Sequence, residues 1–89
     1  MPAAPDNHDA YDYAERIRER LPRRLQELRE RCGLSKYGLA RDSGISREYI
    51  GKIERGSANP TLPVTAQISR GLGMTLTDFV SQLEDDRER

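Results

Sequence analysis

The stretch from Ser35 to Gly56, SKYGLARDSGISREYIGKIERG, limits the possible folds more than any other part of the chain. Its serines and glycines divide it into two short helices joined by a tight turn. Ser35 stands just before a helical run and can accept from the orphan backbone donors of a first turn, while Leu39 and Ala40 give that run an apolar face. Gly44 then stops it. Ile45 follows alone between polar residues, and Ser46 can cap a second helix whose apolar positions, Ile50 and Ile53, lie three apart on one face. The opposite face carries Arg47, Glu48, Gly51, Lys52 and Arg55.

A short helix with Arg, Glu and Lys outward and a glycine in its middle suits insertion into a groove. The major groove of B-DNA, about 12 Å wide, admits one α-helix. The same composition also describes an ordinary solvated face, so this helix face alone leaves both readings open.

More of the chain bears on the choice. LQELRERCGLS (25–35), LARDSGIS (39–46), YIGKIERG (49–56), NPTL (59–62) and ISRGLGMTLTDFV (68–80) follow one another in an order and at a spacing that resemble the lambda-repressor/Cro-like (XRE-type) helix-turn-helix family, from about Leu21 to Leu83. The resemblance implies an all-α fold, a compact five-helix DNA-binding domain, here with an extra N-terminal helix. It implies a transcriptional regulator of double-stranded DNA, a repressor or an autoregulatory controller, rather than an enzyme. The antitoxin of a toxin pair, with a protein partner, is a further family role.

Eighty-nine residues suffice for one small domain. The apolar fraction, 35%, barely exceeds the charged fraction, 34%, so the core must be compact and helical. There is no run of eighteen apolar residues and no apolar segment after Met1, which argues against a membrane span or a secretory signal and for a cytoplasmic protein. Cys32 is the one cysteine and His8 the one histidine, which excludes an internal disulfide and any cysteine-based zinc site. No motif points to catalytic residues, a cofactor or a metal.

The net charge of zero conceals a gradient. Residues 1–15 carry four acids and no base, residues 16–56 twelve bases against six acids, and residues 57–89 three bases against five acids. The basic charge therefore coincides with the helix-turn-helix half, as a phosphate-binding face requires. Compact basic halves also serve proteins that bind acidic protein partners.

Along the chain, residues 1–9 are rich in Pro and Asp and read as a disordered tail. Ala10, Tyr13, Ala14, Ile17 and Leu21 recur at helical spacing, predicting a helical extension over 10–21 that Pro22 ends or kinks. Pro22 also suits the first turn of a new helix, so a domain is expected over 22–83, with Leu25 and Leu28 facing the core. Gly33 stops that first helix and Leu34 staples the next. The family usually places Gln after the Ser35 cap and Glu at the third helical position, where this chain has Lys36 and Gly38. Gly38 costs that helix roughly 1 kcal/mol relative to Ala, and Lys36 favours guanine or phosphate over adenine. Further on, Thr61 caps a fourth helix that tolerates Pro63 in its first turn and buries Val64, Ile68 and Leu72. Thr75 and Asp78 open a fifth helix with Leu76, Phe79, Val80 and Leu83 apolar, Leu76 and Phe79 being assigned to the core. Residues 84–89 read as a charged, frayed tail.

By position in the family motif, Lys36, Arg47, Glu48, Gly51 and Lys52 face base edges, with Gly51 allowing close approach. Ser35, Ser46, Tyr49, Arg55, Ser57 and Asn59 lie where the family holds phosphates. Arg29 and Glu54 occupy the positions of an ion pair joining the first helix to the recognition helix, 46–54. One such helix reads only a few base pairs, so useful specificity argues for a homodimer on a palindromic operator, with half-site centres about ten base pairs apart or a multiple of this. Val80 and Leu83 exceed the evident needs of the core and are assigned to the dimer interface, with the Ala10–Leu21 helix as the other candidate. From another class altogether, a protein-interaction module could keep this fold without reading DNA, and the neutral net charge and altered start of the second helix lean that way.

Overall fold

In a computed structural model describing residues 7–84, the chain forms α1 (Asn7–Arg31), α2 (Lys36–Ser43), α3 (Arg47–Glu54), α4 (Leu62–Gly71) and α5 (Leu76–Glu84), with no strand among these residues. The fold is all-α. Four of the helices begin on a hydroxyl that accepts a first-turn backbone N–H. Ser35 Oγ accepts from Gly38 at 2.9 Å, Ser46 Oγ from Tyr49 at 3.1 Å, Thr61 Oγ1 from Val64 at 3.3 Å and Thr75 Oγ1 from Asp78 at 3.0 Å. Each such cap is worth about 1 kcal/mol. Between α2 and α3 the chain reverses at Gly44, whose φ of 77° lies in the left-handed region and whose N–H donates back to the Ala40 carbonyl at 2.9 Å. A side chain at that φ would be strained, so the turn depends on glycine.

Leu25, Leu39, Ile50 and Ile53 have no exposed surface, and Phe79 and Ile68 have almost none. Each side chain so buried stabilises the fold by roughly 1.5–3 kcal/mol. α4 approaches α2 to backbone distance: a Cβ built at Gly71 would lie 2.9 Å from Ser43 Cβ and 3.1 Å from Ser43 Cα. Thr65 and Ser69 are buried on the same helix, and their hydroxyls donate to the carbonyls of Thr61 and Thr65, both at 2.8 Å. Hydroxyls satisfied within their own helix cost the core little and leave it narrow enough for this approach.

Three expectations need correction. The extension over 10–21 and the first domain helix are one continuous helix of 25 residues, with Pro22 inside it. Pro22 forfeits one backbone hydrogen bond and crowds the preceding turn, at about 3 kcal/mol. Against that, Leu21 before it and Leu25 and Leu28 after it are buried in the same core, and its ring lies against Gly56. Burial on both sides outweighs the break. The tail predicted over 1–9 is helical from Asn7; residues 1–6, like 85–89 of the charged tail, lie outside the described residues.

The third correction concerns α5. Leu83, assigned above to a dimer interface, is 5% exposed and belongs to the core, while Leu76 and Val80 are half-buried. Leu83 looks surplus only if α1 starts at Pro22. With α1 extended, Ile17 and Leu21 provide the surface that covers it, and the Arg20 guanidinium donates to the Leu83 carbonyl at 2.8 Å.

Candidate nucleic-acid interface

Ile50 and Ile53 anchor α3 from behind, which leaves Arg47, Glu48 and Lys52 fully outward. Lys36, at the start of α2, joins them. Lys36, Arg47, Glu48, Gly51, Lys52 and Arg55 line one shallow concavity, four cations and a single carboxylate on a convex molecule. The Arg55 guanidinium lies over Gly51: a Cβ there would meet Arg55 Nη1 at 3.1 Å. Gly51 thus gives its open space to a cation of the same helix, which extends the basic surface across the middle of α3.

A buried ion pair joins that helix to α1. Arg29 Nε donates to Glu54 Oε2 at 2.7 Å and Arg29 Nη2 to Glu54 Oε1 at 3.0 Å, a two-point contact, while Nη1 donates to the Leu34 carbonyl at 2.9 Å. Both side chains are more than nine-tenths buried. The hydrogen bonds to Glu54 hold the Arg29 guanidinium above its usual pKa. A buried pair of this kind adds little net stability, because desolvation offsets the attraction, but it tolerates only one geometry. It links the C-terminal end of α1 to the C-terminal end of α3.

The residues assigned to backbone contacts do not all gather here. Ser35 and Ser46 are exposed and cap the two helices. Tyr49 is half-buried against the core, and the Ser57 hydroxyl donates to the Lys52 carbonyl at 3.2 Å, placing it at the end of α3. Asn59 lies elsewhere: it lines an apolar groove with Ala14, Ile17 and Pro60, and so leaves the set around α3. The loop after α3 turns away from the helix-turn-helix face within three residues of Gly56, which spacing alone does not reveal.

Two exposed residues of α2 lie outside the set named from the sequence. Tyr37, 65% exposed in the first turn of α2, has no role in the core. Arg41 is exposed on the same helix and holds the Asp42 carboxylate at 2.9 Å, lowering the pKa of that carboxyl below its usual range. Tyr37 had a readable signal, since it stands off the Leu39–Ala40 apolar face while carrying an aromatic ring and a hydroxyl.

Comparisons with known proteins agree with this arrangement. Residues 20–80 match the family model described as a helix-turn-helix domain. The chain is 35% identical over 71 residues to the control protein C.MunI of Mycoplasma sp, covering 79% of this chain and 96% of that protein. It is 35% identical over 57 residues to the HTH-type transcriptional regulator SutR of Escherichia coli, covering 64% of this chain but only 32% of that protein. The crystal structure of the restriction-modification controller protein C.AhdI from Aeromonas hydrophila superposes with a TM-score of 0.65 at 34% identity, covering 75% of this chain and 98% of that one. The chain thus spans about a third of the Escherichia coli regulator and nearly all of the two controllers. No helix among the described residues is long and apolar enough to cross a membrane. With the turn, the caps, the ion pair and these matches in agreement, this chain belongs to the helix-turn-helix domain family.

Proposed function

We propose that the protein is a sequence-specific DNA-binding transcriptional regulator, a repressor or autoregulatory controller, that sets α3 into the major groove of a palindromic operator as a homodimer. The observation that carries this is the concavity on α3: four cations and one carboxylate, backed by two fully buried isoleucines and held at one angle by Arg29 and Glu54. Arg47 and Lys52 donate to guanine O6 and N7, Glu48 accepts from cytosine N4, and Lys36 takes guanine or phosphate, so a G·C-containing half-site follows. Ser35, Ser46, Tyr49, Arg55 and Ser57 then hold the backbone and set register without reading sequence. The autoregulatory form is favoured because the relatives matched over nearly their full length are named as control proteins. In the dimer, Val80 is the remaining α5 contact, now that Leu83 is committed to the core.

Selection from a random duplex pool tests the reading, followed by titration of the selected and an unselected duplex at one salt concentration. Arg47→Ala should cost about 1–3 kcal/mol on the selected sequence and much less on the other. Equal losses on both would reduce Arg47 to a phosphate contact, and failure to enrich any sequence would favour a protein-interaction module on the same fold.

A further inference from the structure

We propose that Arg55 reads a base edge: its guanidinium, seated over Gly51, donates to O6 and N7 of a guanine in each half-site, at a pair distinct from the one that Arg47 meets. This deepens the DNA-reading function above and rests on it. It also moves Arg55 out of the backbone set, in which its place in the family motif puts it.

Residue 55 caps the C-terminal end of α3, and a side chain extended from there would run past the helix toward the rim of a groove. It turns back by one helical turn instead. A Cβ at Gly51 would lie 3.1 Å from Arg55 Nη1 and 4.0 Å from Arg55 Cζ. Gly51 is buried although it sits on the outward side of α3 between Arg47, Glu48 and Lys52, and this guanidinium covers it. With no Cβ at position 51, the fork settles against the helix itself.

The fork is also unused. Among the described residues the Arg55 side chain makes no hydrogen bond or ion pair, whereas Arg18, Arg24, Arg29 and Arg41 each hold a carboxylate. Glu48, the one carboxylate of the concavity, leaves it alone. All five N–H donors are therefore open to a ligand, in the planar arrangement that matches the O6 and N7 acceptors of guanine.

Position decides between a base and a phosphate. A major groove about 12 Å wide barely exceeds a helix with its side chains, about 10–12 Å across, so the outward middle of α3 meets base edges while phosphates lie to its sides. Over Gly51 the guanidinium occupies that middle. Residues 47 and 51 are one turn apart, about 6 Å along the axis, which exceeds the base-pair rise of about 3.4 Å. The two arginines therefore reach different pairs when α3 lies along the groove. A side chain already folded against its own helix also loses less rotamer freedom on binding, which favours a specific contact over a swinging charge.

The test is selection from a random duplex pool by the full chain, Arg55→Ala and Arg55→Lys, followed by titration of selected and unselected duplexes over a range of salt. Position 55 is exposed, and circular dichroism checks that both variants stay helical. The parent should enrich a G·C pair that Arg55→Ala does not, with the pairs that depend on Arg47 still enriched and the salt slope unchanged. Replacing that pair by A·T should weaken the parent roughly five- to hundredfold and Arg55→Ala scarcely at all. Arg55→Lys, which keeps the charge and loses the fork, should lose most of the preference as well. A slope lowered by about one in Arg55→Ala, with every pair of the parent's site still enriched, would make Arg55 a phosphate contact and overturn the proposal. Unchanged selection with an unchanged slope would overturn it too, leaving Arg55 a solvated charge. In both cases the DNA reading stands, provided Arg47→Ala still loses discrimination. A parent that enriches no sequence sinks the DNA reading and the role of Arg55 together.

Discussion

The two ends of α1 belong to one unbroken helix and are held by different physics. The C-terminal end has Leu25 with no exposed surface, Leu28 buried, and Arg29 fastened at two points to Glu54 of α3. The N-terminal end has exposed alanines and tyrosines, and the Tyr13 hydroxyl donates to the Glu84 carboxylate at the end of α5. Helical propensity favours the C-terminal end, built from Arg, Leu, Gln and Glu where the N-terminal end has Asn, His, Asp and Tyr. Burial differs greatly, and stability against local opening follows burial. A single helix thus combines a rigidly packed C-terminal end with an N-terminal end that little burial holds.

The sharpest way to break this comparison is at the ion pair. Glu54→Ala leaves the Arg29 guanidinium buried and unpaired, which should cost about 3–5 kcal/mol in chemical denaturation. Replacing both residues, Arg29→Met with Glu54→Leu, should restore most of that stability. If the double variant also keeps full discrimination between selected and unselected duplexes, the pair does not set the angle of α3.

A smaller loss is expected at the α2–α4 contact, which supports the same rigid end without touching α1. Gly71→Ala brings a methyl to 2.9 Å from Ser43 Cβ and 3.0 Å from Leu39 Cδ1, and should cost about 1–3 kcal/mol through overpacking. Because the crowding includes the Ser43 backbone, rotamer changes cannot relieve it. An unchanged midpoint in thermal melting would mean that the two helices separate at no cost.

The smallest effect belongs to the N-terminal end. Tyr13→Phe should leave the global midpoint nearly unchanged and speed amide exchange in the first turns of α1 alone. The hydrogen bond to Glu84 raises the Tyr13 pKa above its usual value, so the contact is intact below about pH 10 and is lost as pH rises through the raised value. Exchange at Asp12 to Ala14 in the parent chain should accelerate over that alkaline range and match Tyr13→Phe beyond it. If Tyr13→Phe unfolds the protein cooperatively, the two ends of α1 are one stability unit and the comparison fails.

The outcome for sequence reading divides the same way. The caps at Ser35, Ser46 and Thr61 and the stop at Gly44 were legible, because each depends on residues within four positions of itself. The five-helix order was legible through its glycines and hydroxyls. Pro22 misled, since its local cost is fixed in the sequence while the burial that outweighs it comes from contacts with other helices. Leu83 was misassigned for the same reason, one step removed, because its cover comes from the part of α1 treated as an add-on. In the candidate site, the cations on α3 could be placed from helical spacing alone. The departure of Asn59 and the seat of Arg55 could not, since each depends on the path of a loop or the fold of a long side chain.

That seat limits how the protein can be retargeted. Position 51 is the natural choice for a randomised library, being a glycine in the middle of the candidate reading helix with Arg55 alone close to it. Every side chain placed there brings its Cβ to 3.1 Å from the Arg55 guanidinium, which must shift by a few tenths of an ångström to admit it. A screen that varies residue 51 alone therefore samples two changes at once, a new contact and a displaced cation, and ranks their sum. Separating them takes a library in which residues 51 and 55 vary together, so that each new side chain is judged with a neighbour chosen for it.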